Sequence, residues 1–335
     1  MGRAIGVIGA GGWGTALAKL LCEKGDEVTL WCHGEATFRE MEAKGENVTY
    51  LPGVPLPRQL KITRSLKEVV PDKEVLLFAV PSHLVREVMQ GAVPHMVPHT
   101  TLVCGTKGIE EGSLLTMGEV LIDLFGEPKR RHLTFLSGPS FALEVARGLP
   151  AAITLAAYDD EVGSDVQKTL STQNFRVYTS QDVIGVQMGG VVKNVIAIAA
   201  GISDGLALGD NARAALMTRG LAEMTRLAVR MGADPLTLSG LPGLGDLILT
   251  CAGELSRNRR VGLEIAKGRK VSDILAGMRM VAEGVRNTRS VRLLAQRLEV
   301  EMPIVEQMCQ VLYKGKTPMG AVRDLMQRTL KRELP

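Results

Sequence analysis

Short, unbroken apolar runs alternate with stretches of helical spacing through the first half of the chain. The runs at 4–8, 27–31, 75–80, 101–104 and 133–136 read as buried strands. Between them, 15–21, 35–43, 83–91 and 114–124 carry apolar residues at the intervals that put them on one helix face. Strands separated by helices predict an α/β fold of Rossmann type, a doubly wound and mostly parallel sheet. Two further strand candidates, 151–156 and 175–178, flank a polar helix and extend that sheet. Proline-rich loops interrupt the alternation at 51–57 and 94–98. After about Ser180 there is no convincing period-two run, and nearly every window carries helical spacing with glycine stops, so the second domain is expected to be all-helical. The expected division is a nucleotide-binding domain over 1–180 and a helical substrate domain over 181–335. No solenoid repeat or low-complexity segment interrupts it.

One stretch, 183–202, is apolar and about long enough to cross a bilayer, which takes roughly 20 residues. It holds Gln187, Lys193 and Asn194, and a charge at mid-span is costly. A buried core helix is the better reading, and an integral membrane protein is not expected.

Where the first strand meets the first helix the chain reads AIGVIGAGGWGTALAKLL, with no linker between the two patterns. In this context Gly9, Gly11 and Gly14 form a dinucleotide fingerprint rather than a chance G-x-G-x-x-G match. Gly9 makes the tight bend, Gly11 lets backbone approach a pyrophosphate, and Gly14 lets helix and strand pack closely. The anion would then sit on the helix N-terminus. This predicts a nicotinamide or flavin dinucleotide and leaves the reaction open.

Composition narrows the classes. A length of 335 residues suggests about two domains, and 45% hydrophobic with 23% charged residues is ordinary for a globular protein. A net charge of +4 gives no case for nucleic acid, and 4% aromatics supplies no stacking platform for single strands. The five cysteines, Cys22, Cys32, Cys104, Cys251 and Cys309, are scattered and form no C-x-x-C, which argues against a disulfide framework or a zinc site and for a reducing cytoplasm. The chain opens on a strand rather than a basic-then-apolar leader, so export is not expected.

Candidate chemistry centres on Lys193, an ammonium in the apolar run VVKNVIAIAA. Desolvation would bring its pKa down toward working pH, as a general acid or base requires, although a lysine reaching out to water fits the same sequence. Asp246, in LPGLGDLILTC, is either a partner for a cation or hydroxyl or an ordinary N-cap of the helix that follows. The run from Ser256 through Arg257 and Asn258 to Arg260 offers phosphate donors at a helix start, or a solvated basic turn. Lys107, in CGTKG, and Gly138 and Ser140, in GPS, fall at the carboxyl edge of the sheet, where open α/β sheets bind ligands. Capping of a helix beginning at Phe141 would also explain Ser140. No metal is expected, since Pro94 and Pro98 break the helix that would align His95 with His99, and no G-x-S-x-G elbow occurs.

Together, GAGGWGTALA, CGTKG, SGPSFALEVA, VVKNVIAIAAGI, GLGDLILTC and SRNRR occur in the order found in NAD(P)-dependent glycerol-3-phosphate dehydrogenases, and the chain resembles that family over most of its length. The resemblance implies a helical second domain like that of 6-phosphogluconate dehydrogenase. It also implies reversible reduction of dihydroxyacetone phosphate to sn-glycerol 3-phosphate, feeding phospholipid synthesis. By the same resemblance Lys193 is the proton acceptor for alcohol oxidation. Lys107, Gly138, Ser140, Asp246, Thr250, Ser256, Arg257 and Asn258 fall on substrate positions. Gly12, Trp13, His33, Ala142, Val281 and Glu283 border the coenzyme, with Lys107 and Arg257 reaching it too. Position 12 lacks the usual serine or asparagine, so any contact from Gly12 is through backbone. The second strand ends Trp31-Cys32-His33, without the acid that grips a ribose 2′-hydroxyl, which favours acceptance of NADPH with Arg39 nearby; Glu35 leaves NADH open. A homodimer is compatible with this reading, although nothing in the sequence sets the oligomeric state. Two competing readings are a 6-phosphogluconate-like or ketopantoate-like reductase, disfavoured by the GLGDLILTC and SRNRR pair, and a non-catalytic dinucleotide sensor, which would not need Lys193 with Asp246.

Overall fold

The computed structural model describes residues 2–278, 282–330 and 332–333. Its sheet has eight strands in the order β3-β2-β1-β4-β5-β6-β7-β8: β1 Ala4–Ile8, β2 Glu27–Trp31, β3 Lys61–Thr63, β4 Val75–Phe78, β5 Thr101–Cys104, β6 Leu133–Ser137, β7 Ala151–Ala157 and β8 Phe175–Ser180. Strands β1 to β6 are parallel, β7 is antiparallel to β6, and β8 is parallel to β7. The short apolar runs become strands because both faces are covered: every residue of β4, β5 and β6 is buried. The covering helices are α1 Gly12–Lys24, α2 Glu35–Lys44, α3 Leu66–Val69, α4 Val85–Ala92, α5 Met117–Phe125, α6 Ala142–Ala146 and α7 Asp160–Leu170.

Three differences from the sequence reading have physical causes. Strand β3 was not expected; at three residues, with only Thr63 buried, it is too short and too polar to show alternation. The fourth strand ends at Phe78 rather than residue 80, because Pro81 fixes the chain for the one-turn helix Ser82–Leu84 that precedes α4. Ser140 does not cap a helix: α6 follows Phe141 and has no side-chain cap, while the Ser140 hydroxyl donates to the Gly138 carbonyl at 3.0 Å.

Beyond Ser180 every described regular element is helical: α8 Val183–Gly205, α9 Asp210–Arg230, α10 Pro235–Ser239, α11 Asp246–Ala252, α12 Arg257–Ala266, α13 Val271–Ala276, α14 Glu283–Arg297, α15 Pro303–Lys314 and α16 Pro318–Met326. A single wide π-helical turn, Leu241–Gly245, closed by Gly245 N donating to Gly240 O at 3.1 Å, leads into α11. Helix α8 is the axis. Asp182 caps its first turn, accepting from Gly185 N at 2.8 Å, and α9, α11, α12, α14 and α15 pack around it. Gly201 and Gly262 bring α8 and α12 so close that a Cβ on either would stand 2.0–2.1 Å from a carbonyl oxygen of the other helix. The apolar length that suggested a membrane span is spent inside this bundle, with 89% of its most apolar window buried.

Strand order reverses between β1 and β4, and ligands of such sheets bind at the carboxyl edge there. The turn after β1 is built for it. Gly9 adopts φ +114°, and a Cβ on Gly14 would lie 1.9 Å from the Gly9 carbonyl oxygen, whereas a Cβ on Gly11 would meet nothing within 4 Å. Asn47, fully buried, fixes the turn by donating to Ala10 O at 2.9 Å and Thr15 Oγ1 at 2.8 Å. Gly14→Ala is therefore expected to lower stability by about 1–3 kcal/mol, as overpacking does, measured by thermal unfolding. Gly11→Ala should leave the unfolding midpoint unchanged yet weaken dinucleotide binding in a fluorescence titration; unchanged affinity would remove Gly11 from the binding turn.

Candidate active site

The carboxyl ends of β1, β4, β5 and β6 bring Gly9, Ser82, Lys107 and Gly138 to one edge of the sheet, and α8 crosses that edge with Lys193 at mid-helix. Lys193 does not reach for water. It is 7% exposed, and its Nζ donates to Asp246 Oδ1 at 2.5 Å and to Thr250 Oγ1 at 2.8 Å. Asp246 is 1% exposed, and its other oxygen accepts from Lys107 Nζ at 2.6 Å. The N-cap alternative for Asp246 is thus overturned: Gly245 holds the cap position of α11, and both carboxylate oxygens serve lysines.

Helical spacing explains part of this arrangement. Asp246 and Thr250 are four apart on α11, on one face, and Thr250 donates back to the Asp246 carbonyl at 2.6 Å, so its hydroxyl oxygen is turned toward Lys193. Gly190, one turn before Lys193, leaves room for the Lys107 stem, since a Cβ there would stand 3.2 Å from Lys107 Cδ and 2.6 Å from Ser137 Oγ. Lys107 also donates to Gly138 O at 3.3 Å.

Electrostatics follow from burial. Loss of water pushes the Lys193 ammonium down to about 8; the Asp246 charge opposes that fall and the Lys107 charge adds to it. For Asp246, burial works toward the neutral acid, but the Lys107 and Lys193 charges outweigh it and hold the carboxyl below its ordinary value. Two ammoniums on one carboxylate leave the cluster with a net charge of +1. Such a cluster suits an anionic substrate and a proton that moves near neutral pH.

The phosphate candidates gather at the start of α12. Ser256 Oγ accepts from Arg259 N at 3.2 Å as the N-cap, and Arg257 stands exposed at the first helical position. Arg259 is already paired with Asp204 at 2.7 Å. Asn258 is buried between helices: its Nδ2 donates to Asn194 Oδ1 at 2.8 Å, and its Oδ1 accepts from Gly284 N at 3.0 Å, the second residue of α14. Asn194, an amide in the apolar run of α8, carries no sequence signal of a place in the site. The structure links it to Asn258.

On the dinucleotide side, α1 begins with no side-chain cap, so its first amides are open to an anion. A Cβ on Gly12 would stand 3.6 Å from Ala142 Cβ, and a Cβ on Gly105 would stand 3.1 Å from Trp13 Nε1, which sets Ala142 beside Gly12 and Trp13 beside the end of β5. His33 is exposed at the end of β2 beside Trp31. Glu35 pairs with Arg39 and, at 3.4 Å, with Arg64, which follows β3 and was missed with it. Glu283 opens α14 and accepts from Ser82. Val281 lies outside the described residues. Among the described residues no group of three or more His, Cys, Asp or Glu is placed to hold a metal, and all five cysteines are buried and unpaired. The open Gly11, the uncapped α1 and the reversal of strand order between β1 and β4 fit a dinucleotide.

Residues 4–163 match the family model for the NAD-dependent glycerol-3-phosphate dehydrogenase N-terminus, and residues 182–323 match that for its C-terminus. The chain is 52% identical over 330 residues to the glycerol-3-phosphate dehydrogenase [NAD(P)+] of Syntrophotalea carbinolica, covering 98% of this chain and 99% of that protein. It is 52% identical over 333 residues to the protein of the same name from Citrifermentans bemidjiense, covering 99% of each. The crystal structure of glycerol-3-phosphate dehydrogenase from Coxiella burnetii, 42% identical, superposes with a TM-score of 0.93 over 98% of this chain and 99% of that one. This chain belongs to the NAD-dependent glycerol-3-phosphate dehydrogenase family.

Proposed function

We propose that the protein catalyses reversible hydride transfer between a nicotinamide dinucleotide and dihydroxyacetone phosphate, giving sn-glycerol 3-phosphate for glycerophospholipid synthesis. The observation that carries this reading is the buried Lys193, held by Asp246 and Thr250 with its pKa brought to about 8. When bound, the reduced nicotinamide supplies the hydride. The side chains supply the proton and the orientation. Lys193 protonates the C2 oxygen as the ketone is reduced and takes the proton back in alcohol oxidation. Asp246 orients that ammonium, and Lys107 at the cleft edge holds the reacting oxygen or the neighbouring hydroxyl. Arg257, Ser256 and the amides that open α12 clamp the phosphate, with Asn258 fixing their position through Asn194 and Gly284. Gly138 and Ser140 close the cleft beside Lys107.

The net charge of +4 and the buried thiols support a cytoplasmic protein acting on a small phosphorylated metabolite rather than on nucleic acid. For the coenzyme we read NADPH as accepted, with NADH also used. Glu35, the one acid near the end of β2, is neutralised by Arg39 and Arg64, and both guanidiniums stand ready for a 2′-phosphate beside His33.

Purified protein with NADPH and dihydroxyacetone phosphate should lose absorbance at the nicotinamide band, and Lys193→Met should cut turnover by about 10²–10⁴-fold while coenzyme titration is unchanged; near-normal turnover would sink the role of Lys193. Because reduction needs the ammonium, its rate should fall as pH rises through about 8, while oxidation, which needs the amine, should rise over the same range. A reduction rate that stays level to about pH 10, the range of an ordinary lysine, would show that the proton donor does not carry the lowered pKa assigned to Lys193. Arg64→Ala should lower kcat/KM for NADPH by about tenfold, the loss of one charge-assisted contact, and leave NADH unaffected. Strict use of NADH by the unaltered protein would refute the coenzyme reading.

A further inference from the structure

Ser82 lies in the turn that follows β4, on the β4 side of the reversal in strand order, and therefore beside the crevice that receives the dinucleotide. It is 4% exposed, and both of its donors go to one carboxylate: the backbone N–H to Glu283 Oε1 at 3.2 Å and Oγ to Glu283 Oε2 at 2.8 Å. Glu283 belongs to the helical domain, as the first residue of α14, where the helix dipole favours an anion. Its charge also acts on the Arg257 guanidinium. One carboxylate thus stands between the coenzyme crevice and the phosphate clamp. It is fixed there by a residue of the opposite domain.

The neighbours make this contact specific. Gly108, next to Lys107, has no room for a side chain, because a Cβ would stand 2.2 Å from Ser82 Cβ and 2.5 Å from Ser82 Oγ. One turn along α14, Asn287 is 1% exposed and neither polar atom of its amide has a partner, so it lies near Gly108 without contributing a hydrogen bond. Arg286 meets Glu111 at 3.6 Å, but both side chains are about half exposed, and such pairs contribute little. The Ser82 to Glu283 pair is what anchors this face of α14 to the nucleotide domain.

We propose that Ser82 is a positioning residue for coenzyme binding: by holding the Glu283 carboxylate it fixes the start of α14 beside the dinucleotide edge of the sheet. The inference rests on the reading of the protein as a nicotinamide-dependent reductase. It is tested by steady-state kinetics with NADPH and dihydroxyacetone phosphate. Ser82→Ala should raise the NADPH KM and dissociation constant about tenfold, the cost of ordering a Glu283 side chain that is no longer held in place. Meanwhile kcat, the pH profile of kcat and the ketone KM at saturating NADPH should stay within about twofold, and the thermal midpoint within about 2 °C. Glu283→Gln should weaken NADPH as well, and Ser82→Ala added to it should change little more, since the two act as one unit. Additive effects, an unchanged NADPH constant, or a uniform loss that follows the thermal midpoint would overturn the proposal. Should Ser82→Ala not fold, the near-isosteric Glu283→Gln carries the same test: an unchanged NADPH constant overturns the proposal. A wild-type protein that does not oxidise NADPH with the ketone would instead overturn the underlying reading.

Discussion

A carboxylate almost fully removed from water and shared by two ammoniums makes each of the three groups depend on the other two. Asp246 stays ionised because Lys107 and Lys193 both stand within 2.6 Å of it, and Lys193 tolerates its burial because Asp246 and Thr250 accept its hydrogen bonds. Breaking a buried pair from one side typically costs about 3–5 kcal/mol, because the orphaned charge has no water to return to. The rest of the architecture can be understood as what keeps these three groups together. Strand β5 ends where Lys107 must start, α8 carries Lys193 through the centre of the bundle, and the turn at Leu241–Gly245 aims α11 so that Asp246 faces inward.

The same physics joins the two ligand sites. Asn194 follows Lys193 on α8, Asn258 follows Arg257 on α12, and Gly284 follows Glu283 on α14; a chain of hydrogen bonds runs through the three positions after the three candidate functional residues. Each helix therefore presents its working side chain at an angle set by an amide immediately behind it. Close helix packing at Gly201 and Gly262 makes that spacing hard to alter.

Much of this was legible in the sequence, for identifiable reasons. Gly9, Gly11 and Gly14 were readable because a strand-to-helix turn over an anion admits few other residues, and Lys193 because a charge in an apolar helix is costly without a purpose. What escaped was information carried by pairing across long sequence separations. That Asp246 serves Lys107 and Lys193 rather than its own helix N-terminus depends on residues 139 and 53 positions away. Ser82, Asn47 and Arg64 sit in loops or beside a three-residue edge strand, where no periodicity marks them. For Ser140 only the cap alternative fails: a serine before a short helix has the signature of a cap, yet in this turn Phe141 holds the cap position.

Lys107 comes from the nucleotide domain, whereas Asp246 and Lys193 come from the helical one. The acidity of the central lysine is consequently a joint property that neither half possesses alone. A chimera that grafts the first domain of one relative onto the second domain of another can keep both folds intact and still mistune proton transfer, if the seam displaces Lys107 by an ångström or so.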